Sequence, residues 1–501
     1  MNNYCKRNAL ILSIVLGLLA LGTISGMAQT LSGGSFTITS SVTAGGGGNS
    51  TGSGNTGITG TTGQSAAGGP HANSPFSHDA GFWPTTLGQV APTPTPLAGA
   101  GAFAYSNSLF TVAEDTTEAV VTVMRLNGST GAATVDYRIM NSLNFIQCGL
   151  ANGIAAQNCD FSYTGGTLTF GNGEVAKTFS VLISKDAYTE GNKAINLSLG
   201  NPTAGATLAA QSIATLMIID NPTVPTNTQP LDDPVNFTGQ LYHDFLARQA
   251  DPSGLSFWSG QITQCGSDQN CINGARITVA NAFFFELEYQ QTGSYVFRLY
   301  RAAYGNNQPL PNPDPSNVTE AKKIPAYSAF VLDRASVIGG NSLAQSQADL
   351  ANAFVQRPEF LARYPANLSG AQFIAAVLQN ILASDGVDLS SQTAALTTLF
   401  NLGGRGAVMF RLADDDAVTN PITNQGFIDA EYDRAFVATQ YFGYLRRDAD
   451  IGGLLFWFNQ VSAAPLRDVT EQHRMVCSFI TSAEYQNRFS AALTHTNAEC
   501  Q

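Results

Sequence analysis

Gln240 to Gln261 reads QLYHDFLARQADPSGLSFWSGQ, and Gln440 to Gln460 reads QYFGYLRRDADIGGLLFWFNQ. At one constant offset Phe237 matches Phe436, Leu246 matches Leu445, Arg248 matches Arg447, Asp251 matches Asp450, and Gly254 matches Gly453. Phe257-Trp258 matches Phe456-Trp457 at the same offset. A repeat of this length organises the C-terminal half of the chain. Phe237, Leu241/Tyr242 and Phe245/Leu246 fall on one helical face. The spacing recurs at Tyr295/Val296 to Ala303/Tyr304, at Phe373/Ile374 to Ile381/Leu382, and at Phe436 to Tyr444/Leu445. An apolar pair every four residues is an amphipathic helix burying one side. A second motif accompanies it: Phe283 with Glu288-Tyr289, Phe354 with Glu359-Phe360, and Phe479 with Glu484-Tyr485. These patterns predict a tandem α-helical repeat domain over 235–501.

Asp251-Pro252-Ser253-Gly254 and Asp450-Ile451-Gly452-Gly453 are expected between helices, with Asp capping the next helix and Gly allowing a tight turn. A half calcium loop is the sharper alternative, but the further alternating acids of an EF-hand are missing. Phe257-Trp258 and Phe456-Trp457 are expected as core anchors rather than sugar-stacking platforms. Asp414-Asp415-Asp416 is expected as a solvated helix end. The stretch Leu241 to Arg248 with Asp251, Gly254 and Phe257-Trp258, the Phe283–Tyr289 unit, Tyr295 to Gly305, and Gln440 to Trp457 resemble the domain of unknown function 4214 family. The resemblance spans nearly all of Val235 to Ser490. It implies exported, surface-associated helical modules and carries no activity.

Upstream, across a Pro-Thr-Asn linker at 223–234, the period falls to two. Ala119, Val121 and Val123 alternate with polar neighbours, as do Val135, Tyr137 and Ile139. So do Leu168 and Phe170; Phe179, Val181 and Ile183; Ile195, Leu197 and Leu199; and Leu216 and Ile218. About seven short strands with regular turns predict an antiparallel, Ig-like β-sandwich over 100–222. Gly171-Asn172-Gly173 is a hairpin-type signal. The predicted fold is therefore multidomain, β then α.

The acids of this region gather at strand ends: Glu114-Asp115, Asp160 after Cys159, Asp186 and Glu190 around one turn, and Asp220. Strand ends of a sandwich converge on loop clusters. Carboxylates meeting there could supply the six to eight oxygens calcium wants. The plain alternative is solvated turn residues, since Asp favours turns. Phe110 to Glu114, Val121 to Arg125, Val135-Asp136-Tyr137, Cys159-Asp160-Phe161, Gly166 to Phe170 with Gly173-Glu174, Val181 to Asp186, Glu190-Gly191-Asn192, and Ala214 to Asp220 resemble a Calx-beta domain. That resemblance implies a sandwich whose rim binds calcium in some members, with Glu114, Asp160, Asp186, Glu190 and Asp220 at the matching positions. Lys185, Lys193 and Asn221 depart from the pattern. Each removes an anionic ligand, and each lysine adds an opposing charge. Any calcium is expected to bind weakly, with a dissociation constant of roughly 10⁻⁴–10⁻³ M. A long insertion runs between Asn141 and Asn158.

The N-terminus reads as a secretory signal over 1–28: Lys6-Arg7, the apolar run Ala9 to Leu21, and the small residues Gly26-Met27-Ala28. An uncleaved anchor is the alternative, but the run is short for a span. Residues 29–99 form a Gly/Ser/Thr/Pro-rich stretch read as a flexible spacer. Gly48-Asn49-Ser50-Thr51-Gly52 mimics a nucleophile elbow, and Gly52 to Gly57 mimics a dinucleotide fingerprint. Neither has the strand-to-helix context its chemistry requires. Net charge is -12, which argues against nucleic acid and anionic lipid as partners. Beyond Cys5, the cysteines fall into local pairs: Cys148 with Cys159, Cys265 with Cys271, and Cys477 with Cys500. Six cysteines allow 15 connectivities, of which this is the simplest. Structural disulfides are expected in an exported chain. Metal thiolates are the alternative, though the absence of any C-x-x-C disfavours zinc.

The expected function is a non-enzymatic exported cell-surface or extracellular protein. Its sandwich weakly binds calcium, and its helical module anchors or assembles. The expected partner is a cell-surface protein or polysaccharide, with no membrane span after signal cleavage. A purely structural protein without calcium is the first alternative, and a hydrolase of an extracellular polymer the second. None of the five histidines has a motif partner. His243 faces Phe442 in the other copy, which predicts a packing role.

Overall fold

The computed structural model describes residues 97–500 apart from positions 224, 226 and 341, together with four short strands upstream. Those strands form two antiparallel pairs, Leu31–Gly33 with Phe36–Ile38 and Gly48–Gly52 with Thr56–Gly60. The stretch read as a spacer therefore holds some strand structure. Gly48–Gly52 is a strand and not the turn a nucleophile elbow needs. The predicted signal segment and the histidines His71 and His78 lie outside the described residues.

The second compact unit, Thr93–Gln501, begins with the sandwich. Its strands are β1 (Ala102–Tyr105), β2 (Leu109–Ala113), β3 (Glu118–Leu126), β4 (Ala133–Ile139), β5 (Gly165–Phe170), β6 (Ala176–Leu182), β7 (Lys193–Gly200), β8 (Thr207–Leu208) and β9 (Ile213–Ile219). One sheet runs β6-β3-β1-β8 and the other β2-β9-β7-β4-β5. The alternating apolar residues of these strands all point inward and are buried. Tyr137 of β4 stacks on Phe179 of β6 at 4.0 Å, and Phe103 of β1 meets Phe170 of β5 at 5.0 Å, joining the sheets. Most pairings are antiparallel, but β1 with β8 and β2 with β9 are parallel. The Gly171–Gly173 turn does not close a hairpin. It carries the chain from β5 in one sheet to β6 in the other, because each strand takes a distant partner: β5 pairs with β4, and β6 with the long β3.

The helical part has α1 (Pro234–Leu241), α2 (Pro252–Thr263) and α3 (Gln269–Phe285) as its first copy. There follow α4 (Tyr295–Tyr304), α5 (Tyr327–Ile338), α6 (Leu343–Phe354), α7 (Gly370–Asp385) and α8 (Thr393–Ala413). The second copy is α9 (Gln425–Gln440), α10 (Ile451–Ala463) and α11 (Val469–Ile480). α1 and α9 each run into a π-helical turn, Tyr242–Leu246 and Tyr441–Leu445. Each turn ends on a left-handed residue, Ala247 (φ 49) and Arg446 (φ 50). Side-chain pairings repeat as well. Tyr242 meets Phe283 at 4.9 Å and Tyr441 meets Phe479 at 4.8 Å. Arg248 grips the Glu288 carboxylate through two bonds, as Arg447 grips Glu484. The two π-turns pack face to face, with Phe245 edge-on to Tyr444 at 4.9 Å. A Cβ at Gly443 would come within 2.8 Å of the Phe245 ring.

Asp251 and Asp450 cap α2 and α10, accepting from Gly254 N and Gly453 N at 2.7 Å each. The glycines serve a different need from the expected tight turn. A side chain there would collide with the hydroxyls of Tyr242 and Tyr441. The aromatic pairs split in role. Trp258 and Trp457 pack against the core, whereas Phe257 and Phe456 are 58% and 53% exposed, so these two are not core anchors. The acidic run is also not a solvated end. Asp414 is buried and paired with Arg411, and Asp415 lies 3.3 Å from the buried Arg298. The cause is the following loop folding back, with Asn424 Nδ2 donating to the Asp414 carbonyl at 2.6 Å. The three disulfides join the expected local pairs.

The sandwich and helices share one continuous core. α5 lies against the edge strand β5. Gly166 and Gly339 let the backbones approach there, since a Cβ on Gly166 would come 2.8 Å from the Gly339 carbonyl oxygen. Covering an edge strand removes a site of unwanted pairing.

His243 is 3% exposed, and Phe442 occupies the same place in the second copy. Burial, reinforced by the positive charge of Arg446, pushes the His243 imidazole down to about 4. A histidine depressed below its unfolded value stabilises the fold above about pH 6.5 and loses that contribution as pH falls toward 4. His243→Phe is expected to match the wild type at pH 7.5. At pH 4.5 it should exceed the wild type by on the order of 2 kcal/mol. Denaturation midpoints at the two pH values check this, and an unchanged acid limb would assign the acid sensitivity elsewhere.

Candidate metal centre

The insertion after β4 builds the first wall of the site. Asn141 Nδ2 donates to the Ala155 carbonyl at 2.7 Å, and Asn158 Nδ2 donates to the Ile146 carbonyl at 2.7 Å. With Cys148–Cys159 these bonds fold the loop back on itself. Asp160 emerges buried, its Oδ2 accepting from Ala156 N at 2.6 Å. Phe161 then bridges to Ile183, which sets Asp160 beside Ser184 and Asp186 just past β6. Lys193 opens β7 and Glu190 lies in the loop just before it, Asp220 follows β9, and Glu114 follows β2. One end of the sandwich therefore collects five acids from four separate chain segments.

Asp160, Asp186 and Glu190 each present an oxygen within 4.8 Å of the others. All three are buried, as is Glu114, so these four are not solvated turn residues, whereas Asp115 is exposed and Asp220 half-buried. Glu114 has a supporting position: its Oε1 accepts from Asp186 N at 2.7 Å and its Oε2 from Asn221 N at 3.4 Å. Asp220 lines the same cavity, with Oδ2 held by Gly191 N at 3.2 Å. Among the described residues, Asp220 Oδ1, Glu190 Oε2 and the Ser184 hydroxyl are buried without a hydrogen-bond partner. The cavity measures about 10 Å³, room for roughly one water-sized particle.

The lysines separate. Lys193 is buried, with Nζ 2.9 Å from Asp160 Oδ1 and in contact with Glu190. It is the cation of the cluster. Lys185 instead lies 3.3 Å from Asp115, on the outer side. Asn221 also turns to Asp115 through its side-chain amide. Burial, then the charges of Asp220 and Asp160, pushes the Glu114 carboxyl up to about 7, against two bonded backbone N–H groups. Burial and the Asp160 charge push Glu190 up to about 7, against Lys193. Burial with Glu114 and Glu190 drives Asp186 well above the carboxylate range. Lys193 loses to burial but gains more from Asp160 and Glu190, and its net shift is upward. Crowded buried carboxylates with one ammonium are short of positive charge. Orphaned oxygens, and only oxygens, suit a hard cation. Ser184 joins the site unannounced by its sequence, since a lone serine in a strand-end turn carries no signal.

What lies behind the site was also missed. Asp244 is fully buried and holds Arg446 (Nη2 to Oδ1, 2.9 Å) and Arg488 (Nη2 to Oδ1, 3.1 Å). Burial alone would raise its carboxyl, but Arg488 and Arg446 outweigh burial and hold it low. A signal existed in the repeat: Asp244 stands opposite Gly443, and Arg446 opposite Ala247. Charge present in one copy and absent in the other marks where the copies do different things.

The family model for the Calx-beta domain matches residues 99–222. The model for a domain of unknown function, DUF4214, matches residues 419–489, which lie around the second repeat copy. The resemblance read from sequence runs further, from Val235. Adhesion G-protein coupled receptor V1 of Danio rerio is 29% identical over 109 residues, 22% of this chain. The match takes in 2% of that receptor's length. A crystal structure of the apo-form Calx CBD1 domain is 27% identical and covers 24% of this chain and 96% of its own, with a TM-score of 0.21. The calcium binding domain CBD12 of CALX1.1 is 28% identical, covering 24% and 46%, with a TM-score of 0.20. Among the described residues no helix is long and apolar enough to cross a membrane. The chain thus carries a β-sandwich matching the Calx-beta domain, followed by a helical region whose last part matches DUF4214.

Proposed function

We propose that this is a non-enzymatic exported protein of the cell surface or extracellular space, whose sandwich rim binds one calcium ion weakly. Asp160, Asp186 and Glu190 are the central ligands, with Asp220 and the Ser184 hydroxyl beside them. The observation that carries this reading is three buried carboxylates with oxygens within 4.8 Å, lining a cavity with orphaned oxygen atoms. The cavity volume of about 10 Å³ suits an ion and not an organic substrate. Lys193 makes the binding weak, because the ion must displace its ammonium from Asp160. The disulfides are compatible with an oxidising, extracellular setting. The helical module anchors or assembles, and its partner is a cell-surface protein or polysaccharide. Lys193 also favours a second reading, in which the ammonium is the permanent cation and the sandwich is structural.

Thermal unfolding of the full chain in chelator and in calcium separates the two. For a dissociation constant of about 1 mM, 10 mM calcium stabilises by about 1.4 kcal/mol. The midpoint is expected to rise with calcium and not with magnesium. Asp186→Asn with Glu190→Gln should abolish the rise. A wild-type midpoint indifferent to calcium would select the structural reading.

A further inference from the structure

The rim does not face solvent alone; the helical module sits on it through buried polar bonds. Arg446 Nη1 donates to the carbonyls of Gln157 (2.8 Å) and Phe161 (2.6 Å), and its Nη2 to Ser162 Oγ (2.6 Å). Arg488 Nε donates to the Asn158 carbonyl at 2.8 Å. Gln157 completes the seam: its Nε2 donates to the Arg446 carbonyl at 2.9 Å, and its Oε1 accepts from the Tyr327 hydroxyl at 2.6 Å. Residues 157–162 are the loop that carries Asp160. The segment after Asp186 is held in the same way. Ala187 N donates to the Phe489 carbonyl at 2.8 Å, and the Tyr188 hydroxyl donates to the Asn487 carbonyl at 2.9 Å. Two of the three central carboxylates therefore stand on segments bonded to the helical module.

The two arginines are themselves fixed. Both bind the Asp244 carboxylate, which Gln240 Nε2 and the Tyr485 hydroxyl also reach, at 2.8 and 3.2 Å. Asp244 belongs to the π-turn of the first repeat copy, and Arg446 follows the π-turn of the second. The packing of one copy on the other thus sets where the guanidinium groups stand. A planar guanidinium with several fixed donors is suited to pinning a loop by its carbonyls.

We infer that Arg446 and Arg488 are positioning residues for the cation site, so that calcium binding at the rim and docking of the helical module are one coupled equilibrium. This rests on the calcium reading of the rim. By linkage, whatever the docked module contributes to calcium affinity, calcium returns to docking.

Arg446→Ala in the full chain tests it. The variant keeps a residue already found at the matching left-handed position, Ala247, and leaves Asp244 balanced by Arg488. Calcium titration calorimetry is expected to show binding at least tenfold weaker than in the wild type, with near-ultraviolet circular dichroism preserved. Val377→Ala, a cavity in the core of α7, controls for general loss of stability and should leave calcium affinity unchanged. Hydrogen exchange gives the second readout. Exchange of peptides over residues 156–162 should quicken in Arg446→Ala, and calcium should slow exchange at residues 487–489 in the wild type. Equal calcium affinity in wild type and Arg446→Ala would overturn the coupling, as would equal weakening by Val377→Ala. If the wild type takes up no calcium, the calcium reading falls. Exchange at 156–162 then still decides whether the arginines position the loop, and no change there would overturn that too.

Discussion

Lys193→Gln is expected to bind calcium about 10- to 100-fold more tightly than the wild type. The ammonium lies 2.9 Å from Asp160 Oδ1 and touches Glu190, so it occupies the field a cation would use. At an effective dielectric of about 20, a unit charge about 4 Å away is worth ~4 kcal/mol. Part of that is recovered in the wild type as the lysine swings aside, and every ~1.4 kcal/mol remaining is tenfold in affinity. The same substitution should weaken the calcium-free protein. It removes the cation that offsets a set of buried carboxylates, and an unpaired buried charge is costly. Calorimetry and denaturation in chelator measure the two effects. They must move in opposite directions: tighter calcium, lower calcium-free stability. Lys185→Gln is the control, since Lys185 pairs with Asp115 at a partly exposed position, and its effect should be within about 1 kcal/mol. Unchanged affinity in Lys193→Gln would show that the ammonium does not compete for the site.

Asp244→Asn is expected to cost about 3–5 kcal/mol of stability, the range for removing one member of a buried ion pair. Two buried guanidinium groups share this carboxylate. Neither has another carboxylate within salt-bridge distance among the described residues. The change preserves shape but removes the charge and one acceptor oxygen, so the loss reports the ion pair with its hydrogen bonds and not a cavity. Glu288→Gln is the informative comparison. Its partner Arg248 makes a two-bond pair of similar geometry, but both side chains are 38% exposed, and the loss should stay near or below about 1 kcal/mol. Urea midpoints of the two variants test the contrast. Similar losses from both would mean that burial does not govern these pairs.

Much of the fold could be read from residue order because its signals are local. Ala119, Val121 and Val123 alternate and are buried on one face of β3; Asp251 and Asp450 cap their helices; neighbouring cysteines pair. The acids that gather at the rim were legible as strand-end residues, and Lys193 as a charge opposing them. Gly171-Asn172-Gly173 was misleading for a physical reason. A turn sequence describes its own backbone and not the strands on either side, whose partners lie elsewhere in the sheets. Phe257 and Phe456 were misread because aromatic character sets a tendency to bury, while the adjacent tryptophans took the inward positions.

By itself the sequence determined the two element types, their order, the repeat and the residue kinds available for a cation site. Periodicity, capping and charge are properties of neighbouring residues, and neighbours along the chain carry them. Only the tertiary structure decided that Asp160, Asp186 and Glu190 are buried together, that Glu114 supports Asp186, and that Lys193 enters the cluster while Lys185 does not. It alone placed Asp244, Arg446 and Arg488 behind the Asp160 loop. The rim relations join residues tens of positions apart across the sandwich strands, and the arginine relations join residues hundreds of positions apart; both exist only once separate elements have packed on one another.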